Sequence, residues 1–218
     1  MDDHDRPTPW RAAALGGLVG PAAFIGAWAV GGILAGGTYA PLDDAISRLA
    51  AVDADTRALM TAGFVVFGVS LPAYGMALHR AVPGAAWAGL AAGATGLATL
   101  GVAATPLDRS TVVDQLHAVF AGLGYVTLAA TPLLAARPLR ARGHRGLARF
   151  GSAAGVVSGL ALSLTLGGAP TGLFQRLGLT VTDLWIMVSA AAILTGRLGA
   201  PRRGPDPTGT GTPTRGQD

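Results

Sequence analysis

Asp114 and His117 stand three residues apart in an apolar stretch, so on a helix they share one face and differ by only about 4.5 Å in axial position. A carboxylate beside an imidazole can hold the ring in one orientation, which suits a ligand hook or an acid/base pair. Arg176, Thr180 and Asp183 follow one another at spacings of four and three, with Gln175 beside them, and Asp44 and Arg48 form an i,i+4 pair. Asp44, Arg48, Asp114, His117, Gln175, Arg176 and Asp183 are therefore the candidate ligand-binding residues. In that site Arg176 would attract an anionic group, Gln175 would orient it by hydrogen bonding, and Asp114 would hold the His117 ring. The ligand expected is a lipid or another anionic or amphiphilic molecule.

Each of these residues also has a plainer use. Thr111-x-x-Asp114 and Thr180-x-x-Asp183 both fit a capping box, in which hydroxyl and carboxylate satisfy free amides at a helix start. Asp53, Asp55 and Thr56 precede an apolar run and suit the same role, and Asp44 with Arg48 can be a simple surface ion pair. Other chemistries find less support. Four histidines and no cysteine, with His4, His79 and His144 at the opposite end from His117, do not assemble a zinc centre, and no metal or cofactor is expected. Ser47 and Ser110 lie outside any nucleophile-elbow sequence, so no catalytic residue is assigned.

The elements that must position these side chains are six hydrophobic stretches, at about 11–36, 57–79, 84–106, 114–136, 147–169 and 178–198, each near the twenty residues that cross a bilayer. No charge falls near the centre of any of these spans, and Asp183 is expected within a turn or two of a membrane face. Half of the 218 residues are hydrophobic, 13% are charged and 33 are glycine, a composition of close-packed membrane helices. All sixteen basic side chains are arginine. With both termini in the cytoplasm, only Arg48, Arg57, Arg109 and Arg176 would lie outside and the other twelve inside, a clear positive-inside bias. The isoelectric point near 10.6 then reflects loop charge that sets topology and meets lipid headgroups, not a nucleic-acid surface.

These features predict an all-α integral membrane protein with three parts: a short cytoplasmic N-terminus (1–10), a six-helix transmembrane domain (11–198) and a disordered cytoplasmic tail (199–218) rich in Gly, Pro and Thr. The first outer connection, Gly37 to Thr56, carries Leu42, Ala45, Ile46 and Leu49 at helical spacing, which predicts a short amphipathic helix on the bilayer surface. Gly151, Gly155, Gly159, Ser163 and Gly167 form a small-residue ridge on the fifth helix, suited to close packing inside the bundle or against a second copy in a homo-oligomer.

Three segments also resemble a known family. Tyr39-Ala-Pro-Leu-Asp-Asp-Ala-Ile-Ser-Arg-Leu-Ala after the first helix, His117 opening the fourth, and Gly172-Leu-Phe-Gln-Arg-Leu-Gly-Leu-Thr-Val-Thr-Asp183-Leu-Trp leading into the sixth are similar to the bacterial and archaeal six-pass membrane proteins called domain of unknown function 998. The likeness runs from about Leu15 to Leu194. It implies a compact six-helix bundle with the polar motifs near one membrane face, and it carries no activity, cofactor or catalytic residue. Of the function classes open to such a chain, a lipid- or amphiphile-binding module in the cell membrane comes first. An intramembrane acid/base enzyme acting on a lipid or isoprenoid is the alternative, and a small-molecule transporter the third.

Overall fold

A computed structural model describes residues 9–166 and 170–199. The expectations for residues 1–8, for Gly167 and for the tail beyond Gly199 fall outside the described residues. Six helices long and apolar enough to cross a membrane account for the described chain: α1 (Pro9–Thr38), α2 (Arg57–Ala81), α3 (Ala86–Ala104), α4 (Thr111–Ala141), α5 (Arg145–Leu166) and α6 (Thr171–Leu194). Two ends can be named by composition. The α1–α2 and α3–α4 connections carry aspartates and share one end with the start of α6, and the α2–α3 and α4–α5 connections share the arginine-rich end with Pro9 and Gly199, the outermost described residues.

Local sequence explains where the helices stop. Gly36 ends the α-helical part of α1 with φ of 53°, a left-handed conformation that a side chain disfavours. Gly143 does the same in the tight link from α4 to α5, with φ of 83°. Ser110 starts α4, its hydroxyl accepting a hydrogen bond from the Val113 amide at 3.3 Å, so the cap is the serine and not the Thr111-to-Asp114 box.

Each helix packs mainly on its neighbours in sequence, and α6 closes the ring onto α1 while also touching α2 and α4. Trp185, Tyr74, Leu71, Leu78 and Ile186 fill the centre with essentially no exposed surface. Two buried polar contacts fix α6 there: Tyr74 Oη lies 2.6 Å from Ser189 Oγ, and Trp185 Nε1 donates to the Leu147 carbonyl at 3.1 Å. Small residues allow the approach. A Cβ on Gly75 or Gly89 would strike the other's carbonyl oxygen, so α2 and α3 touch backbone to backbone. The outer surface presents Ile33, Leu34, Leu90, Leu97, Val126 and Leu160, which suits lipid and would be an aggregation surface in water.

Two expectations are corrected. The fifth-helix ridge is split: a Cβ at Gly151 would meet Trp185, and one at Gly155 would meet Ala129 O and Leu133, but Gly159 has nothing within 4 Å and faces outward. The last helix begins at Thr171, seven residues before the expected start. Gln175 and Arg176 made its first two turns look like loop, yet both side chains find partners in the α1–α2 connection, which permits the helix to continue through them.

Candidate functional site

The α1–α2 connection is sewn onto the start of α6. The first amides of a helix have no partner inside it, and here the Leu173 and Gly172 amides donate outward to the Leu42 and Asp43 carbonyls at 2.8 and 3.3 Å. Arg176 reaches back from the next turn. Its Nη1 donates to the carbonyls of Pro41 (2.6 Å), Asp44 (3.3 Å) and Gly172 (2.9 Å), and its Nη2 donates to the Tyr39 hydroxyl. The guanidinium carbon also lies 5.3 and 5.5 Å from the ring centres of Trp28 and Tyr39. Gln175 Oε1 accepts the Ile46 amide at 2.6 Å. Burial pushes the Tyr39 phenol above its ordinary range against the opposing pull of Arg176, so the hydroxyl stays neutral.

This clasp changes the reading of the loop. In place of an amphipathic helix on the bilayer surface, a short 3-10 turn, Ile46–Ala50, points inward with Ile46, Ser47, Leu49 and Ala50 buried, while Leu42 is exposed. Thr56 donates to Leu49 O at 2.9 Å and makes no cap for α2. Asp44 and Arg48 do not pair. The Asp44 carboxylate instead accepts the Ala40 amide at 2.8 Å, and Arg48 reaches across to both carboxylate oxygens of Asp108 at 3.0 and 2.9 Å. Asp108 is held for this in a left-handed backbone conformation (φ 65°) that aspartate tolerates. Its amide donates to Asp114 Oδ1 at 3.0 Å.

Asp114 therefore braces the α3–α4 connection and does not hold the His117 ring. Side chains on a helix lean toward its N-terminus, so both reach back to the chain before α4, at different residues. His117 Nδ1 lies 2.6 Å from the Thr105 carbonyl, just beyond the end of α3. A carbonyl only accepts, so Nδ1 donates to it, and in the neutral ring Nε2 is then the acceptor. That Nε2 is buried without a partner.

It opens on a cavity of about 60 Å³ under the 3-10 turn, between α1, α2, α3, α4 and α6. Phe24, Phe64, Phe67 and Phe120 supply apolar walls, and Ser47, Thr95, Thr99, His117, Tyr125 and Gln175 supply polar ones. Tyr125 Oη faces Gln175 but lacks a hydrogen bond of full geometry, so it too is a buried group with capacity to spare. Tyr125 follows His117 by eight residues, which places both on one helical face. That spacing is the signal by which it could have been found in the sequence.

Asp183 sits elsewhere. Twelve residues past the start of a 24-residue helix, it is about 18 Å deep and at mid-span, not near the membrane face. It is wholly buried and neither carboxylate oxygen has a hydrogen-bond partner. It is not a helix cap. Of the seven candidates, His117 and Gln175 share the cavity, Asp44 and Arg176 belong to the clasp, Arg48 and Asp114 meet through Asp108, and Asp183 lies one turn below the cavity-lining Leu179.

No curated protein and no solved structure matches the chain. The family described as "Protein of unknown function (DUF998)" matches residues 18–192, from the third turn of α1 almost to the end of α6. Both longer motifs that carried the resemblance lie inside that match, and they are the two halves of the clasp. The chain is a multi-pass membrane protein and belongs to the DUF998 family.

Proposed function

We propose that the protein binds the polar end of a neutral, hydroxyl-bearing amphiphile in the cavity beneath the clasp. The observation that carries this reading is the unpartnered, buried His117 Nε2 in the wall of this small cavity. Leaving such an acceptor dry costs about 1–3 kcal/mol, so the site is built for a donor. Gln175 spends its carbonyl oxygen on the Ile46 amide, which leaves its N–H groups as donors beside Tyr125. An acceptor and donors converging on one small volume suit a hydroxyl group, which both gives and takes a hydrogen bond. An anionic head fits less well than the sequence alone suggests, because Arg176 is already engaged by three carbonyls and a phenol.

The test compares dodecanol, dodecyl phosphate and dodecane bound to delipidated protein, read by native mass spectrometry. Dodecanol should be retained best, and His117→Phe should remove that preference. Equal retention of dodecyl phosphate, or unchanged retention in the His117→Phe protein, would sink the reading. A second reading, acid/base chemistry on the bound amphiphile, is favoured by one observation: the unpartnered Asp183 carboxyl within a turn of the cavity wall. Turnover of an isoprenoid alcohol that vanishes in Asp183→Asn, with binding intact, would support it.

The orientation consistent with the arginine distribution puts the clasp outside the cell membrane and both termini in the cytoplasm. Cysteines placed at Thr38 and Ser110 should then react with an impermeant reagent on intact cells, and one at Gly143 should not.

A further inference from the structure

The arginine-rich end carries a second and larger recess, a cleft of about 1040 Å³ between the α2–α3 link and the end of α4. It shares no lining residue with the cavity beneath the clasp. Arg80, Arg137 and Arg142 line it, and among the described residues no carboxylate does. Every aspartate among the described residues lies at the clasp end or, for Asp183, at mid-span. Arg142 Nε donates to the Pro83 carbonyl at 3.3 Å and so ties the two walls together. Arg80 and Arg137 are exposed and pair with no acid among the described residues.

One turn deeper, about 6 Å along α4 from Arg137, the walls change character. Leu133 and Leu134 are 41% and 44% exposed, and Trp87 across the cleft is 73% exposed. Cationic groups at the mouth with apolar walls just below them reproduce the layout of a phospholipid, phosphate first and acyl chains beneath. Tryptophan at this level is the residue that favours the headgroup boundary. Segment 200–218 of this chain is a poorer occupant by charge, since its side chains include three arginines and two aspartates and sum to a net positive charge.

We propose that this cleft is a binding site for one anionic phospholipid, whose phosphate is held by Arg80 and Arg137 and whose chains lie on Leu133, Leu134 and Trp87. The site is independent of the hydroxyl-binding cavity.

The experiment adds dioleoyl phosphatidylglycerol, dioleoyl phosphatidylcholine or soluble glycerol phosphate to delipidated wild-type protein and measures retention by native mass spectrometry. Phosphatidylglycerol should be held selectively, and the double variant Arg80→Gln/Arg137→Gln should weaken it by roughly 30-fold, about a factor of five for each charge lost. The control pair Arg145→Gln/Arg149→Gln removes the same charge from the same end outside the cleft and should keep the preference. Equal loss in the control, or equal retention of phosphatidylcholine, would reduce the cleft to a share of general surface charge. Tight binding of glycerol phosphate would make it a site for a soluble phosphate. Either result overturns the proposal, and unchanged melting temperatures in phosphatidylcholine confirm that the variants are folded.

Discussion

The two ends of the bundle handle positive charge in opposite ways. At the clasp end Arg176 is surrounded by carbonyls and aromatic rings, and Arg48 has both oxygens of Asp108. At the other end Arg80 and Arg137 line an open cleft with no acid among its described lining residues. The same residue type therefore serves as a structural rivet in one place and as an unspent charge in the other. What separates them is the partner each one meets: the folded α1–α2 loop sets the Pro41 and Asp44 carbonyls against Arg176, and the α3–α4 connection sets Asp108 against Arg48.

The comparison breaks most visibly at Arg176. Arg176→Met keeps much of the apolar stem but removes every bond from the guanidinium to the clasp, and hydrogen bonds to charged groups contribute about 1.5–3 kcal/mol each without adding fully. A loss of about 3 kcal/mol, measured as thermal stability in detergent, is expected, with faster proteolysis within the Tyr39-to-Ala50 loop. Arg137→Met should change stability by less than about 0.5 kcal/mol. Similar losses in the two variants would erase the distinction between rivet and free charge.

Next comes packing at mid-span, where α5 lies against α4. A side chain at Gly155 would collide with Ala129 O and Leu133, so Gly155→Leu should destabilise by about 2 kcal/mol through overpacking. Gly159, one turn further, has open space around it, and Gly159→Leu should be nearly silent in lipid. A penalty at Gly159 equal to that at Gly155 would show that a second copy covers this face.

Much of this was legible in the sequence, and the rest failed for identifiable reasons. Six apolar runs are long enough to announce themselves, and five of the helices lie within a few residues of their expected limits. Charge misplaced the sixth. Gln175 and Arg176 read as loop residues because a polar pair is costly in lipid, and only the tertiary partners Pro41, Asp44 and Ile46 remove that cost. The shifted start then hid the most unusual residue of the chain, moving Asp183 from mid-span to a supposed helix cap. Helical spacing correctly put Asp114 and His117 on one face, but contact depends on the lean of the side chains and on what precedes the helix. The cavity itself, assembled from five helices and a loop, has no sequence signature beyond the polar periodicity of α4.

Asp183 gives a smaller and opposite effect. A buried carboxyl with no hydrogen-bond partner is a standing cost to folding, whereas a residue kept for stability would be satisfied. Asp183→Val, close in size and apolar, should therefore raise stability by about 1 kcal/mol while leaving the helix in place. Such a gain is the mark of a residue retained for what it does. A loss of 2 kcal/mol or more would instead mean that the carboxyl has partners, such as buried water, and belongs to the framework.

The mildest test lies between Arg48 and Asp108. Arg48 Nη1 alone meets both oxygens of Asp108, and the two side chains are 48% and 45% exposed, so water competes for both charges and salt screens them. Pairs of this kind contribute about 0.2–1 kcal/mol, against the larger contribution expected of the half-buried Arg176. A double-mutant cycle with Arg48→Ala and Asp108→Ala should yield a coupling of about 0.5 kcal/mol that shrinks as salt is raised. A coupling that holds at high salt would show that lipid or the loop shields the pair. The clasp end would then contain two buried rivets, and its contrast with the arginine end would sharpen.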